Sequence, residues 1–209
     1  MAKRTYDQPG CGLAAALDLL GERWTLLVIR ELMLGPQRYT DLHGALSAMS
    51  TNLLAGRLRS LEEQGVVQRT ELPPPAACTV YELTEVGQEL EPLILQMAQW
   101  GSRFVDCDNL ADPRSAAFAM LAAQREISHR ADITTGECQI DIGDMTIAAY
   151  VETGRVRARA HAPTNPVATL RATPESYLGL VSGELEWSDL DADGDLQQLA
   201  ALFGEPPAN

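Results

Sequence analysis

Between Arg38 and Gly65 the chain concentrates the residue types that read nucleic acid. Ser50, Thr51, Asn52, Arg57 and Arg59 lie close together, with Arg38 a short way ahead of them. Short hydroxyls and amides hydrogen-bond base edges, and arginine forks grip phosphates or guanine. The same stretch carries Leu54, Leu58 and Leu61 at i, i+4, i+7, which is one buried stripe of a helix. That helix would bury its leucines and present Thr51, Asn52, Arg57, Arg59 and Ser60 on the opposite side. DNA contact is the reading this context favours, against a solvated helix face. Arg38 and Arg59 are candidates for phosphate clamps, with plain surface arginines as the open alternative.

The neighbouring sequence supplies the elements such a face needs. Tyr39–Leu46 predicts a first short helix and Ser47-Ala48-Met49 a tight turn. Ser50 is a good N-cap for a second helix reaching Gln64, with Gly65 placed to end it. Val66–Leu72 and Cys78–Leu83 are β-prone. Pro73-Pro74-Pro75 between them cannot continue a sheet and marks a loop tip. Two strands behind a helix-turn-helix make a wing. Arg69 in the first could reach DNA, but pairing with a nearby glutamate is favoured. Thr84 then caps a predicted long helix running to about Phe104, whose Leu90, Leu93, Ile94, Met97, Trp100 and Phe104 form a wide apolar face.

In this arrangement the chain resembles the HxlR-type transcription regulators. The matching pieces are Cys11, LDLLGERWTLLVIREL (17–32), GPQRYTDL (35–42), LLAGRLRSLEEQGVVQR (53–69), YELTEVG (81–87) and Trp100-Gly101. They cover about Cys11 to Phe104, in order and without large gaps. The resemblance implies a winged-helix dimer on a two-fold symmetric operator, with the first and last helices forming most of the dimer interface. On this chain those positions are Leu13, Leu17, Leu90, Ile94, Met97 and Trp100. It also places Cys11 where some members carry a redox or electrophile sensor. The alternative for Cys11 is a small buried residue at the dimer interface.

A polar break near residues 106–109 suggests a second domain, giving expected domains of 1–105 and 106–209. Residues 113–127 read as a helix starting at Pro113. Glu137–Ile142, Met145–Glu152, Arg155–His161 and Val167–Ala172 read as strands, with Thr153-Gly154 as a hairpin turn. Helices follow over Pro174–Val181 and Asp195–Phe203. The fold class is therefore α+β: an N-terminal winged helix-turn-helix and a C-terminal α+β domain with a mainly antiparallel sheet covered by helices. NPVATLRATPESYLGLVSGEL followed by DADGDLQQLAALFG resembles the sterol-carrier-protein-type fold. That likeness implies a one-sided sheet and an apolar cavity able to hold a small apolar effector. The stretch Glu184–Asp193 is acidic and short where that family is basic or aliphatic.

Other chemistries find little purchase. His43, His129 and His161 form no metal set. Asp189, Asp191, Asp193 and Asp195 are not followed by the closing glutamate that a calcium loop requires and read as a solvated acidic loop. Arg155, Arg157, Arg159 and His161 share a strand face, which could bind an anion or simply pair with this domain's acids. No phosphate-cradling, dinucleotide or nucleophile-elbow motif implies a cofactor or an enzyme. No run approaches the ~20 apolar residues of a membrane span. The N-terminus lacks a signal peptide's apolar core, and four widely spaced cysteines suit a reducing cytoplasm. The net charge of −13 is unusual for a DNA-binding protein. It is unevenly shared: residues 1–105 carry 9 Lys or Arg against 12 Asp or Glu, net −3, and residues 106–209 carry 7 against 17, net −10. Weak non-specific DNA binding, falling steeply with salt, is expected. The expected function is a dimeric, sequence-specific regulator of double-stranded DNA, responsive to an apolar small molecule or to Cys11 modification. A carrier protein that uses its winged helix only for dimerisation or protein contacts is the alternative.

Overall fold

The computed structural model describes residues 6, 8–74, 77–101, 104, 118, 135–152, 155–182 and 184–203. The chain divides into two compact units, Met1–Ile94 and Leu95–Asn209. Among the described residues no helix is long and apolar enough to cross a membrane.

The first unit runs α1 (Gly12–Leu20), α2 (Thr25–Met33), α3 (Tyr39–Ala45), α4 (Thr51–Glu63), β1 (Val67–Glu71), β2 (Thr79–Leu83) and α5 (Glu85–Gln88). Helix α6 (Glu91–Gly101) crosses the division. Apolar periodicity builds the core. Val28, Ile29 and Leu32 of α2 are buried, as are Leu42, Leu46 and Met49 around the turn and Leu54, Leu58 and Leu61 of α4. Burying each such side chain contributes about 1.5–3 kcal/mol. Strand β1 pairs antiparallel with β2, Val67 opposite Leu83 and Glu71 opposite Thr79. Val66, Val67, Val80 and Leu83 close the core from the sheet side.

The ends of α4 are fixed locally. Ser50 Oγ accepts from the Leu53 amide at 3.4 Å. At the other end Gly65 takes φ +71°, its amide donates to the Glu62 carbonyl, and the Val66 amide donates to the Leu61 carbonyl. This doubly bonded stop needs a left-handed residue, which glycine adopts without a Cβ clash.

The long helix expected from Thr84 to Phe104 is instead two helices. Thr84 Oγ1 caps α5 by accepting from the Gly87 amide at 3.1 Å, and the chain then breaks at Glu89-Leu90. Pro92, second in α6, has no amide hydrogen to donate to the carbonyl four residues back, at Gln88, and its ring crowds that carbonyl, so one continuous helix cannot run through it. A new helix therefore starts there. Gly87 lets α5 lie against the residue that leads into β1: a Cβ at that position would meet the Val66 carbonyl oxygen at 2.2 Å.

The second unit holds β3 (Cys138–Ile142), β4 (Met145–Glu152), β5 (Arg155–Arg159), β6 (Ala168–Ala172), α7 (Pro174–Ser182), a 3-10 turn (Trp187–Asp189), β7 (Asp191–Gly194) and α8 (Leu196–Phe203). The strands order as β5-β4-β3-β6-β7. β3 and β6 run parallel and the other neighbours antiparallel. Cys138, Ile140, Ile142, Ile147, Ala149, Val151, Ala168 and Leu170 are buried along the sheet. α8 packs on β4 and β6, and α7 on β6. The predicted helix over 113–127 lies outside the described residues, Phe118 excepted.

The acidic stretch is not a solvated loop. Asp191 and Asp193 belong to β7, and Arg171 of β6 bridges both, at 3.2 and 2.7 Å. An acidic strand has poor β propensity by itself, so cross-strand charge pairing compensates. Two arginines of the β5 row are likewise paired: Arg157 with Glu152 at 3.7 Å and Arg159 with Glu137 at 3.5 Å.

Candidate nucleic-acid interface

Three contacts set the angle between α3 and α4 and tie them to the wing. The Tyr39 hydroxyl donates to the Thr51 carbonyl at 2.8 Å, joining the first turn of α3 to that of α4. Gln37 and Tyr81 exchange backbone hydrogen bonds at 2.9 and 2.7 Å, docking the chain ahead of α3 onto β2. Arg38, at the N-cap of α3, donates through Nε to Cys78 Sγ at 3.1 Å. Arg38 is exposed and sits beside the wing's return strand, a position suited to a phosphate.

On α4 the exposed residues are Thr51, Asn52, Ala55, Gly56, Arg59 and Glu63. Asn52, Gly56 and Arg59 fall at i, i+4, i+7, about 200° around the helix from the buried leucine stripe. Thr51, Asn52 and Arg59 therefore lie where the periodicity predicts, and Ser50 acts as their N-cap. Residue type alone does not single out Ala55 and Gly56, because neither carries a polar group. Their exposure on this face is the signal.

Arg57 departs from expectation. Its Nη2 pairs with Glu22 Oε2 at 2.7 Å, and its Nε donates to the Arg23 carbonyl at 3.2 Å. The guanidinium is turned toward the α1–α2 connection and its side chain is 20% exposed. A forked donor meeting a carboxylate and a carbonyl together outweighs solvation of the free side chain. Arg57 thus anchors α4 to the turn before α2 rather than extending from the polar face. Arg57→Met keeps the packed stem and removes both donors. It is expected to lower stability by about 1 kcal/mol and to leave the preferred DNA sequence unchanged; a thermal melt and a binding-site selection check the two halves.

The wing is held by side chains. Arg69 lies 4.0 Å from Glu62 and over the Tyr81 ring. Glu82 accepts from Gln68 Nε2 at 2.9 Å and from the Thr70 hydroxyl. The Thr70 and Gln68 hydrogen bonds hold the Glu82 carboxyl below its ordinary range, outweighing partial desolvation. Its folded pKa is depressed, so its contribution to stability is present above the unfolded carboxylate pKa and lost as pH falls through the folded one. Glu82→Gln should therefore flatten the acid side of a stability-versus-pH curve measured by urea midpoint. An unchanged acid limb would contradict this.

The residues expected at a dimer interface divide in two. Leu13 (69% exposed) and Leu17 on α1 are open to solvent, as are Met97 (56%) and Trp100 (62%) on α6. Leu90 is half-buried, and Ile94 is buried within the chain's own packing, so it does not belong to the exposed face of the helix. Leu93, by contrast, is exposed, and with Met97 and Trp100 it forms an i, i+4, i+7 apolar row. The Phe104 ring meets the Trp100 ring at a tilt, their centroids 5.0 Å apart. Cys11 is exposed at the N-cap of α1, where its Sγ accepts from the Ala14 amide at 3.5 Å. Cys138 is the opposite case. Burial first, then the Asp195 charge, pushes its thiol up to about 12, which leaves it inert.

Residues 19–109 match a family model described as HxlR-like helix-turn-helix. Over 91 residues the chain is 34% identical to the HTH-type transcriptional regulator YvaP of Bacillus subtilis (strain 168), a match spanning 44% of this chain and 84% of that protein. It is 35% identical over 94 residues to the HTH-type transcriptional regulator YodB of the same strain, spanning 45% and 84%. The solved reduced form of YodB from B. subtilis aligns with 47% of this chain and 98% of that one, at a TM-score of 0.41 and 34% identity. The family match stops at residue 109.

Proposed function

This chain belongs to the HxlR-like helix-turn-helix family of DNA-binding transcription regulators, and on that premise we propose that it works as a homodimer reading a short inverted-repeat operator through α4. The observation that carries the proposal is the division of α4 into two faces. Leu54, Leu58 and Leu61 lock one into the core while Thr51, Asn52 and Arg59 stand exposed on the other. A helix so presented fits the major groove, with base contacts from its N-terminal turns. Asn52 reads a base edge, Thr51 assists it, and Arg59 and Arg38 hold phosphates. The wing tip at Pro73–Pro74 lies along the adjacent backbone or minor groove. The second helix of the pair sits roughly 34 Å away, one turn of DNA.

The dimer forms through the open apolar rows of α1 and α6. Single exposed leucines are ordinary, but rows of this kind on two helices mark an interface. Residues 1–105 thus bind DNA and dimerise. Residues 106–209 bind an apolar effector or extend the dimer, and Cys11, exposed at a helix start, offers a second route of control through thiol modification. Either signal works only by binding or modifying the DNA-competent and incompetent states unequally. The test is equilibrium binding of the purified protein to a random duplex pool at near-physiological salt. A saturable, sequence-dependent complex of two protomers per duplex is expected. A folded, dimeric protein that retains no duplex preferentially would instead favour a carrier role.

A further inference from the structure

Gly56 lies in the middle of α4, five residues past its start, where glycine is the least favourable residue after proline. A glycine in such a place ordinarily has a packing reason. Here there is none: beyond the backbone of its own helical turns and its chain neighbours, a Cβ built on Gly56 meets no atom within 4 Å, its backbone is helical, and the residue is exposed. Gly87 and Gly194 make the contrast, since a Cβ there would strike backbone at 2.2 and 2.6 Å. The fold itself therefore gives no account of Gly56. Its neighbours on the surface do: Asn52 lies one turn before it and Arg59 one turn after, on the same face.

We propose that Gly56 is a specificity-determining position of the recognition helix. The missing side chain lets the helix backbone close onto a base pair between the Asn52 and Arg59 contacts, with the Gly56 Cα and the Ala55 methyl resting against a thymine C5-methyl. The groove floor offers that methyl as its apolar feature, and small apolar groups are what meet it. A longer side chain at position 56 would hold the helix off the bases and loosen its neighbours' contacts together. This inference rests on α4 being the DNA-reading helix.

The test uses full-length protein and three variants, Gly56→Ala, Gly56→Gln and Asn52→Ala, each followed by thermal melting and by titration with the selected operator. Gly56→Ala and Gly56→Gln should melt at the same temperature as the parent or higher. Operator affinity should nonetheless fall, by at least tenfold for Gly56→Gln and less for Gly56→Ala. Replacing operator thymines one at a time with uracil, which removes only the methyl, should weaken the parent at one symmetric position per half-site and leave Gly56→Gln insensitive there. Unchanged affinity and unchanged consensus in Gly56→Gln, with Asn52→Ala impaired, would overturn the role of Gly56 alone. If Asn52→Ala also binds normally, the reading of α4 fails and this inference fails with it.

Discussion

Met97→Glu is expected to turn the dimer into monomers and to lower operator affinity at least a hundredfold. Met97 is 56% exposed on α6, between Leu93 and Trp100 on the same apolar row. The substitution therefore costs the protomer little packing. In a two-fold interface the same patch meets on both subunits, so one substitution places two carboxylates in an apolar contact. Burying them unpaired is costly enough to split the pair. The consequence for DNA follows from geometry. One recognition helix per protein leaves half of an inverted repeat unread, and the intramolecular gain of a second contact, about 10²–10⁴ in affinity, disappears. Sedimentation and operator titration check this together. A variant that melts like the parent, remains dimeric and binds normally would move the interface elsewhere.

Asn52→Ala is the second large effect. Asn52 is exposed in the first turn of α4, opposite the leucines, and an amide can pair with adenine in two hydrogen bonds. Its loss should cost about 1–3 kcal/mol per half-site and relax the preference at one base position. Arg59→Ala should behave differently. A phosphate-binding arginine carries no sequence information, so affinity should fall for all duplexes alike. The salt slope should drop by about one for each phosphate no longer neutralised. The two variants separate base reading from backbone grip on one helix. Identical responses from both would contradict the assignment.

How much of the fold is legible in the sequence follows from how local each cause is. The buried face of α4, its Ser50 cap and its Gly65 stop depend on residues within a turn or two, and all are legible. The polar face follows by subtraction from the leucine stripe. Arg57 is not legible, because its orientation depends on Glu22 and the Arg23 carbonyl, far back in the chain. Ile94 is misplaced for a related reason: an apolar run on α6 contains both the side that packs and the side that stays open. The break before α6 is written in Pro92 but outweighed by the surrounding apolar pattern. Strand β7 is hidden because Asp191 and Asp193 become strand residues only when Arg171 lies beside them. Gly56 shows a different blindness. A search for polar groups passes over the residue whose contribution is empty space.

In the proposed complex α4 reads bases, and two copies do so symmetrically. Binding-site selection from a random duplex pool, run in parallel with the parent protein and Asn52→Ala, tests it most directly. The parent is predicted to enrich an inverted repeat with half-site centres about one helical turn apart, and Asn52→Ala to lose the preference at one base in each half. The same consensus from both proteins, or an asymmetric site occupied by one protomer, would contradict the account.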